Sequence, residues 1–168
     1  AFSMVDKCIV LEDDDVPSVS FFTFCKEMLD KYEQDTRITM IAGFNNEEIT
    51  PDVPYDYFFA STFSIWGWAS WKRVIDQWDE HYTFLEDKFN MQQLEQLIKE
   101  RKFRKDFIYM CHRHKENNKA YYETIFHASM LFNSGLAIVP TRNMINNLGV
   151  TADSTHFAGS VHTLPKGY

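Results

Sequence analysis

The feature that most constrains this chain is an apolar run, Cys8-Ile9-Val10-Leu11, followed at once by four acids, Glu12-Asp13-Asp14-Asp15. A short apolar run of this kind reads as a buried strand. Four carboxylates at a strand's end repel one another unless something offsets their charge. Hard cations such as Mg²⁺ and Mn²⁺ take carboxylate oxygens as ligands. Open α/β sheets bind ligands beyond the carboxyl ends of their strands. Position and chemistry therefore agree on a cation-assisted site. The plain alternative is a solvated acidic loop leading into the next helix. Side chains alternate in direction along a strand, so not all four acids reach one cation. Asp14 with Asp13 or Asp15 forms the expected set, which leaves Glu12 for a bound ligand or the loop backbone.

At 168 residues the chain is long enough for one domain with a real core. Its 45% hydrophobic content, with 15 Phe, 8 Tyr and 4 Trp, excludes a disordered chain. Aromatic residues make up 16% of it, which suits a dense core or a stacking surface for sugar-like ligands. The net charge of −7, with no basic stripe, makes nucleic acid and anionic lipid poor partners. No apolar run is long enough to span a bilayer. Cys8, Cys25 and Cys111 are odd in number and far apart, so they read as buried thiols in a reducing compartment.

Strands and helices alternate early and helices dominate late, so the expected class is α/β. After the acids, Phe21, Phe24, Cys25, Met28, Leu29 and Tyr32 recur at spacings of three and four, which predicts a helix from about Ser20 to Tyr32. Strands are expected at Ile38 to Ala42, at Tyr57 to Ala60 and at Leu136 to Val139. Trp66-Gly67-Trp68-Ala69-Ser70-Trp71 reads as the opening of a helix that reaches about Trp78. Further helices are expected near Asn90 to Arg101, Lys105 to Asn117 and Tyr121 to Asn133, the last stopped by Gly135 as a C-terminal cap. The segment from Asn143 to Tyr168 reads as loop.

Four further groups of residues could carry chemistry. Trp66, Trp68 and Trp71 bring three indoles together with small residues between them. Indole faces stack on the C–H faces of sugars, although single tryptophans more often anchor a core. Glu123 follows Tyr121-Tyr122 in a helix's first turn. There it is either a dipole-stabilised cap or a general base on a hydroxyl. Asn143, Asn146, Asn147 and Gly149 lead to His156, a possible ligand for a cation or a phosphate, although a lone loop histidine is usually neither. Cys111 and His114 share a helix face, but a structural zinc site needs a second ligand pair that is not evident nearby.

Taken together, these motifs resemble a family. The strand into Leu11-Glu12-Asp13-Asp14-Asp15, then Pro17 and Phe21-Phe22, is similar to the EDD form of the metal-binding DXD motif of bacterial GT-A glycosyltransferases, the nucleotide-diphospho-sugar transferases. Ile41-Ala42-Gly43-Phe44-Asn45, the Trp66-to-Trp71 motif and the stretch from Pro140 through Asn143 and Asn146-Asn147-Leu148-Gly149 to Ser154-Thr155-His156 resemble the same type, in the same order. The resemblance implies a partial GT-A fold with a mixed sheet and flanking helices. It implies transfer of a sugar from a nucleotide-diphosphate donor to a glycan or other hydroxyl acceptor, with Mn²⁺ or Mg²⁺ as cofactor. On that reading Asp13, Asp14, Asp15 and His156 are the metal residues, and Glu12, Asn143 and Asn147 face the donor. Glu123 is the catalytic base, and Trp66, Trp68 and Trp71 line the acceptor side. The resemblance also implies a cytoplasmic location, free or peripheral at the inner membrane.

Transferases of this type carry the acids about a hundred residues in, after the nucleotide-binding strands. Residues 1–168 are therefore expected to be the DXD-containing C-terminal part of a larger domain, and a truncated sheet is expected to self-associate. Two rival classes remain on the residues alone. One is a metal-dependent phosphoesterase using the same acids. The other is a non-catalytic carbohydrate-binding or assembly module.

Overall fold

The computed structural model describes residues 1–148, which group into two compact units. Of these, the first comprises residues 1–75 and 136–148, and the second runs from Asp76 to Gly135.

The first unit is built on a mixed five-stranded sheet. Its strands are β1 (Lys7–Val10), β3 (Ile38–Ala42), β4 (Tyr57–Ala60), β5 (Trp68–Trp71) and β6 (Leu136–Pro140), ordered β1-β5-β3-β6-β4. Only β3 and β6 run parallel. β3 occupies the centre, and all five of its residues are buried; four are apolar, and the one polar side chain, Thr39, donates through Oγ1 to the Leu136 carbonyl at 3.2 Å. Helix α1 (Val19–Lys31) lays Phe21, Phe24, Cys25, Met28 and Leu29 against the sheet. Those are five of the six residues whose spacing predicts the helix; Tyr32 forms its C-terminal cap. The Trp71 indole N–H donates to the Leu29 carbonyl at 3.2 Å, and Lys7 pairs with Asp30 at 2.8 Å, so α1 is tied to β5 and β1.

The tryptophan motif does not open a helix. Trp68–Trp71 is strand β5, antiparallel to β1 on one side and β3 on the other. Only Lys72–Ile75 turns helical, as the short α2. All four β5 residues are buried. A strand covered on both faces shows no alternation of apolar and polar residues, which is the pattern that would have marked it. The segment after Asn143 is not wholly loop either. Ile145–Asn147 forms β7, which pairs with β2 (Asp15–Pro17) as a separate antiparallel ribbon and sets Asn147 opposite Asp15.

The second unit is helical. A 3₁₀ turn at Thr83–Glu86 precedes α3 (Lys88–Leu97), α4 (Arg101–Glu116) and α5 (Tyr122–Phe132). Its core includes Tyr82, Phe84, Leu94, Phe107, Cys111 and Ile125. Asp87 caps α3 through the Asn90 N–H at 2.9 Å, and Glu100 caps α4 through the N–H groups of Lys102 and Phe103. At the end of α5, Ser134 rather than Gly135 takes the left-handed conformation (φ 51°). The Gly135 N–H reaches back to the Met130 carbonyl at 2.8 Å, and the Ser134 N–H to Leu131 at 3.3 Å, which is the Schellman pattern. Among the described residues no helix is long and apolar enough to cross a membrane.

Candidate cation centre

The acids lie in a tight turn rather than on a strand register. β1 ends at Val10, and the Asp15 N–H donates to the Glu12 carbonyl at 3.2 Å, closing a turn over residues 12–15. The Asp15 carboxylate answers by accepting the Glu12 N–H at 3.0 Å through Oδ2. This closure brings ligand oxygens of Glu12, Asp14 and Asp15 within 4.8 Å of one another, each side chain half-buried. Asp13 stands exposed on the turn and is outside that group. The set that converges is therefore Glu12 with Asp14 and Asp15, not Asp13 to Asp15. Strand alternation does not apply across a turn.

Three other parts of the first unit hold the turn. The Gly67 N–H donates to Asp15 Oδ2 at 2.8 Å. The Asn147 amide donates to Asp14 Oδ1 at 3.1 Å and to Asp15 Oδ1 at 3.3 Å, so one side chain spans two carboxylates. The Leu148 N–H donates to the Asp14 carbonyl at 2.9 Å. Burial pushes the Asp15 carboxyl above the usual aspartate range, and the nearby Asp14 charge adds to that. The N–H bonds from Glu12, Asn147 and Gly67 pull the other way. Carboxylate oxygens this close together, those of Asp14 and Asp15 held by neutral N–H donors, make a hard-oxygen donor set. A divalent cation of the Mg²⁺ or Mn²⁺ type fits its chemistry.

Gly67 is the residue that sequence reasoning undervalued. Its φ of +59° lies in the left-handed region that favours glycine, and an added Cβ would stand 2.4 Å from Ile145 Cδ1. Its carbonyl accepts the Gly43 N–H at 2.7 Å, so residues 43 and 67 pass close to each other. The visible signal was a glycine set among tryptophans.

The remaining candidates divide. Asn147 is at the centre and touches the acids. Asn143 is fully buried: its Oδ1 accepts the N–H of Asn45 at 3.1 Å and of Ile145 at 3.3 Å, and its Nδ2 donates to the Ile145 carbonyl at 2.7 Å. That side chain is a clamp for the backbone, not a donor-facing group. Trp68 and Trp71 are each 3% exposed and belong to the core, so they line no acceptor surface. Trp66 is half-buried, its ring edge-on to Phe44 with 4.7 Å between centroids. Glu123 sits in the first turn of α5 in the second unit. His156 and Gly149 lie outside the described residues. In the second unit Cys111 is buried and its thiol is pushed up to about 12 by that burial, while His114 Nδ1 is 2.9 Å from Thr124 Oγ1.

A comparison with protein-family models finds no match for this chain, and a comparison with curated proteins finds none either.

Proposed function

We propose that this chain carries the cation centre of a partial GT-A glycosyltransferase domain, which moves a sugar from a nucleotide-diphosphate donor to a hydroxyl acceptor such as a glycan. The observation that supports the reading is the convergence of Glu12, Asp14 and Asp15 just beyond the carboxyl end of β1, with Asn147 bridging two of them. A divalent cation held there supplies charge neutralisation for a diphosphate leaving group. The chain's own part is to hold the carboxylates at fixed spacing. Asp15 anchors the turn through the Glu12 and Gly67 N–H groups, and Asn147 offsets the mutual repulsion of Asp14 and Asp15. Glu123 is the proposed general base, by resemblance and by its place in a helix's first turn. On the same reading the protein is cytoplasmic.

The test is calorimetric titration of the chain with nucleoside diphosphates and nucleotide sugars, with and without Mn²⁺, beside the Asp14→Ala variant. Binding that needs Mn²⁺ and disappears in the variant supports the reading. Binding that ignores both Mn²⁺ and Asp14, or turnover of simple phosphoesters without a sugar acceptor, sinks it.

A further inference from the structure

A cleft of about 330 Å³ opens in the first unit, just past the end of β3. Its volume is at the lower end of the range for small-ligand sites. One part of its lining is aromatic, from the half-buried Phe58 and Phe63, with Phe44 at 3% exposure belonging to the core. Another part is polar, from Asn46, Glu47 and Thr62. Among the described residues no Lys, Arg or His lines it, so it offers nothing to balance an anion, and Glu47 would repel one.

One member of the polar part, the exposed Glu47, is tied to its neighbours. Asn45, 3% exposed, donates through Nδ2 to Thr50 Oγ1 at 3.0 Å and to the Pro140 carbonyl at 2.9 Å, and its Oδ1 accepts the Glu47 N–H at 2.9 Å. Thr50 Oγ1 then donates to Glu47 Oε2 at 3.0 Å. That bond restricts the carboxylate before any ligand arrives, and restriction of this kind lowers the ordering cost of binding.

We infer that this cleft is a subsite for an uncharged, polyhydroxylated ring, a hexose or N-acetylhexosamine unit. Aromatic faces match the C–H face of a pyranose, and carboxylate, amide and hydroxyl groups match its hydroxyls. The cleft adjoins the cation centre along the chain. Ser64 lines the cleft, and Gly67, three residues on, binds Asp15. Three residues span at most about 11 Å. The role of the cleft as part of a transferase rests on the reading above, whereas sugar binding by the cleft can be measured alone.

The experiment is saturation-transfer NMR on the full chain with the methyl glycosides of glucose, galactose, mannose and N-acetylglucosamine, each at roughly tens of millimolar, where millimolar ligands are near saturation. The expected result is saturation transfer from aromatic protons to at least one glycoside. Amide shifts should appear at Asn46, Glu47 and Thr62, and affinity should weaken about tenfold in Glu47→Gln and in Phe63→Ala. Glu47→Gln keeps an oxygen for Thr50, so it reports on the sugar even if Phe63→Ala fails to fold. No transfer from any glycoside, or affinity unchanged in Glu47→Gln, overturns the inference. Mn²⁺ titration of the same sample separates the two readings. Cation binding without glycoside binding removes the cleft alone. Glycoside binding without cation binding upholds the cleft and removes the transferase.

Discussion

The Gly67 backbone N–H donates to Asp15 Oδ2 at 2.8 Å, across 52 positions of chain. That single bond joins the acid turn to the strand that carries the tryptophans. Gly67 takes φ +59°, a conformation that side-chain-bearing residues rarely adopt.

Gly67→Ala is therefore expected to cost about 1–3 kcal/mol from backbone strain and overpacking against Ile145. Urea denaturation should show it. Adding Ile145→Ala removes the 2.4 Å clash but not the φ requirement, so the double variant should recover the steric part less the cost of truncating Ile145. Wild-type stability in Gly67→Ala would refute the assignment.

Asn147→Asp should set a third carboxylate against Asp14 and Asp15, where an amide donor now stands. Loss of two hydrogen bonds and added repulsion predict a stability loss of about 1–3 kcal/mol in the absence of divalent cations. Mn²⁺ should restore part of it, because the cation binds the folded form. Thermal melts with Mn²⁺ and with chelator decide the point; a variant equally unstable in both would speak against a cation centre.

The Asp35 carboxyl is held down to about 2 by hydrogen bonds from the Arg37 side chain, then its backbone N–H. Its native value is below the ordinary 3.8. Its contribution is thus present above the ordinary value and is lost as pH falls toward about 2. In Arg37→Ala the NMR titration midpoint of Asp35 should move up toward 3.8, and the stability gap to wild type should close on acidification.

His127 is half-buried against the Phe103 and Phe107 rings, with centroids at 5.6 and 5.1 Å, and burial lowers its pKa from 6.5. The unfolded chain therefore takes up a proton before the folded one does. Stability is expected to fall as pH drops below 6.5 toward the lower native value. Comparing urea midpoints at about pH 7 and about pH 5 with those of His127→Phe tests this. An identical pH slope in both proteins would exclude His127 as the source.

Elements whose signal is local were legible. β3 and β4 have the expected bounds, and α1 spans Val19–Lys31 against the expected Ser20 to Tyr32. β5 was not legible, because its residues are buried on both faces and its tryptophans suit a helix entry as well as a strand. β7 was not legible either: Ile145-Asn146-Asn147 has little strand propensity, and its partner among the described residues, β2, lies far away in the chain. At the site, the acids announced themselves, but which three would meet depended on a turn. Trp68, Trp71 and Asn143 have the right chemistry to bind a sugar nucleotide, yet burial gives each of them a structural task.

The sequence by itself determined the α/β class, the acid cluster beyond the first strand and the helical stripe of α1. Each follows from residue type and spacing within one segment. Only the tertiary structure decided that Glu12 joins Asp14 and Asp15 while Asp13 faces out, that Gly67 and Asn147 hold them, and that Trp66 alone of the three indoles stays half-exposed. Those outcomes depend on a hydrogen-bonded turn and on pairing between segments distant in the chain, whose energies no local pattern encodes.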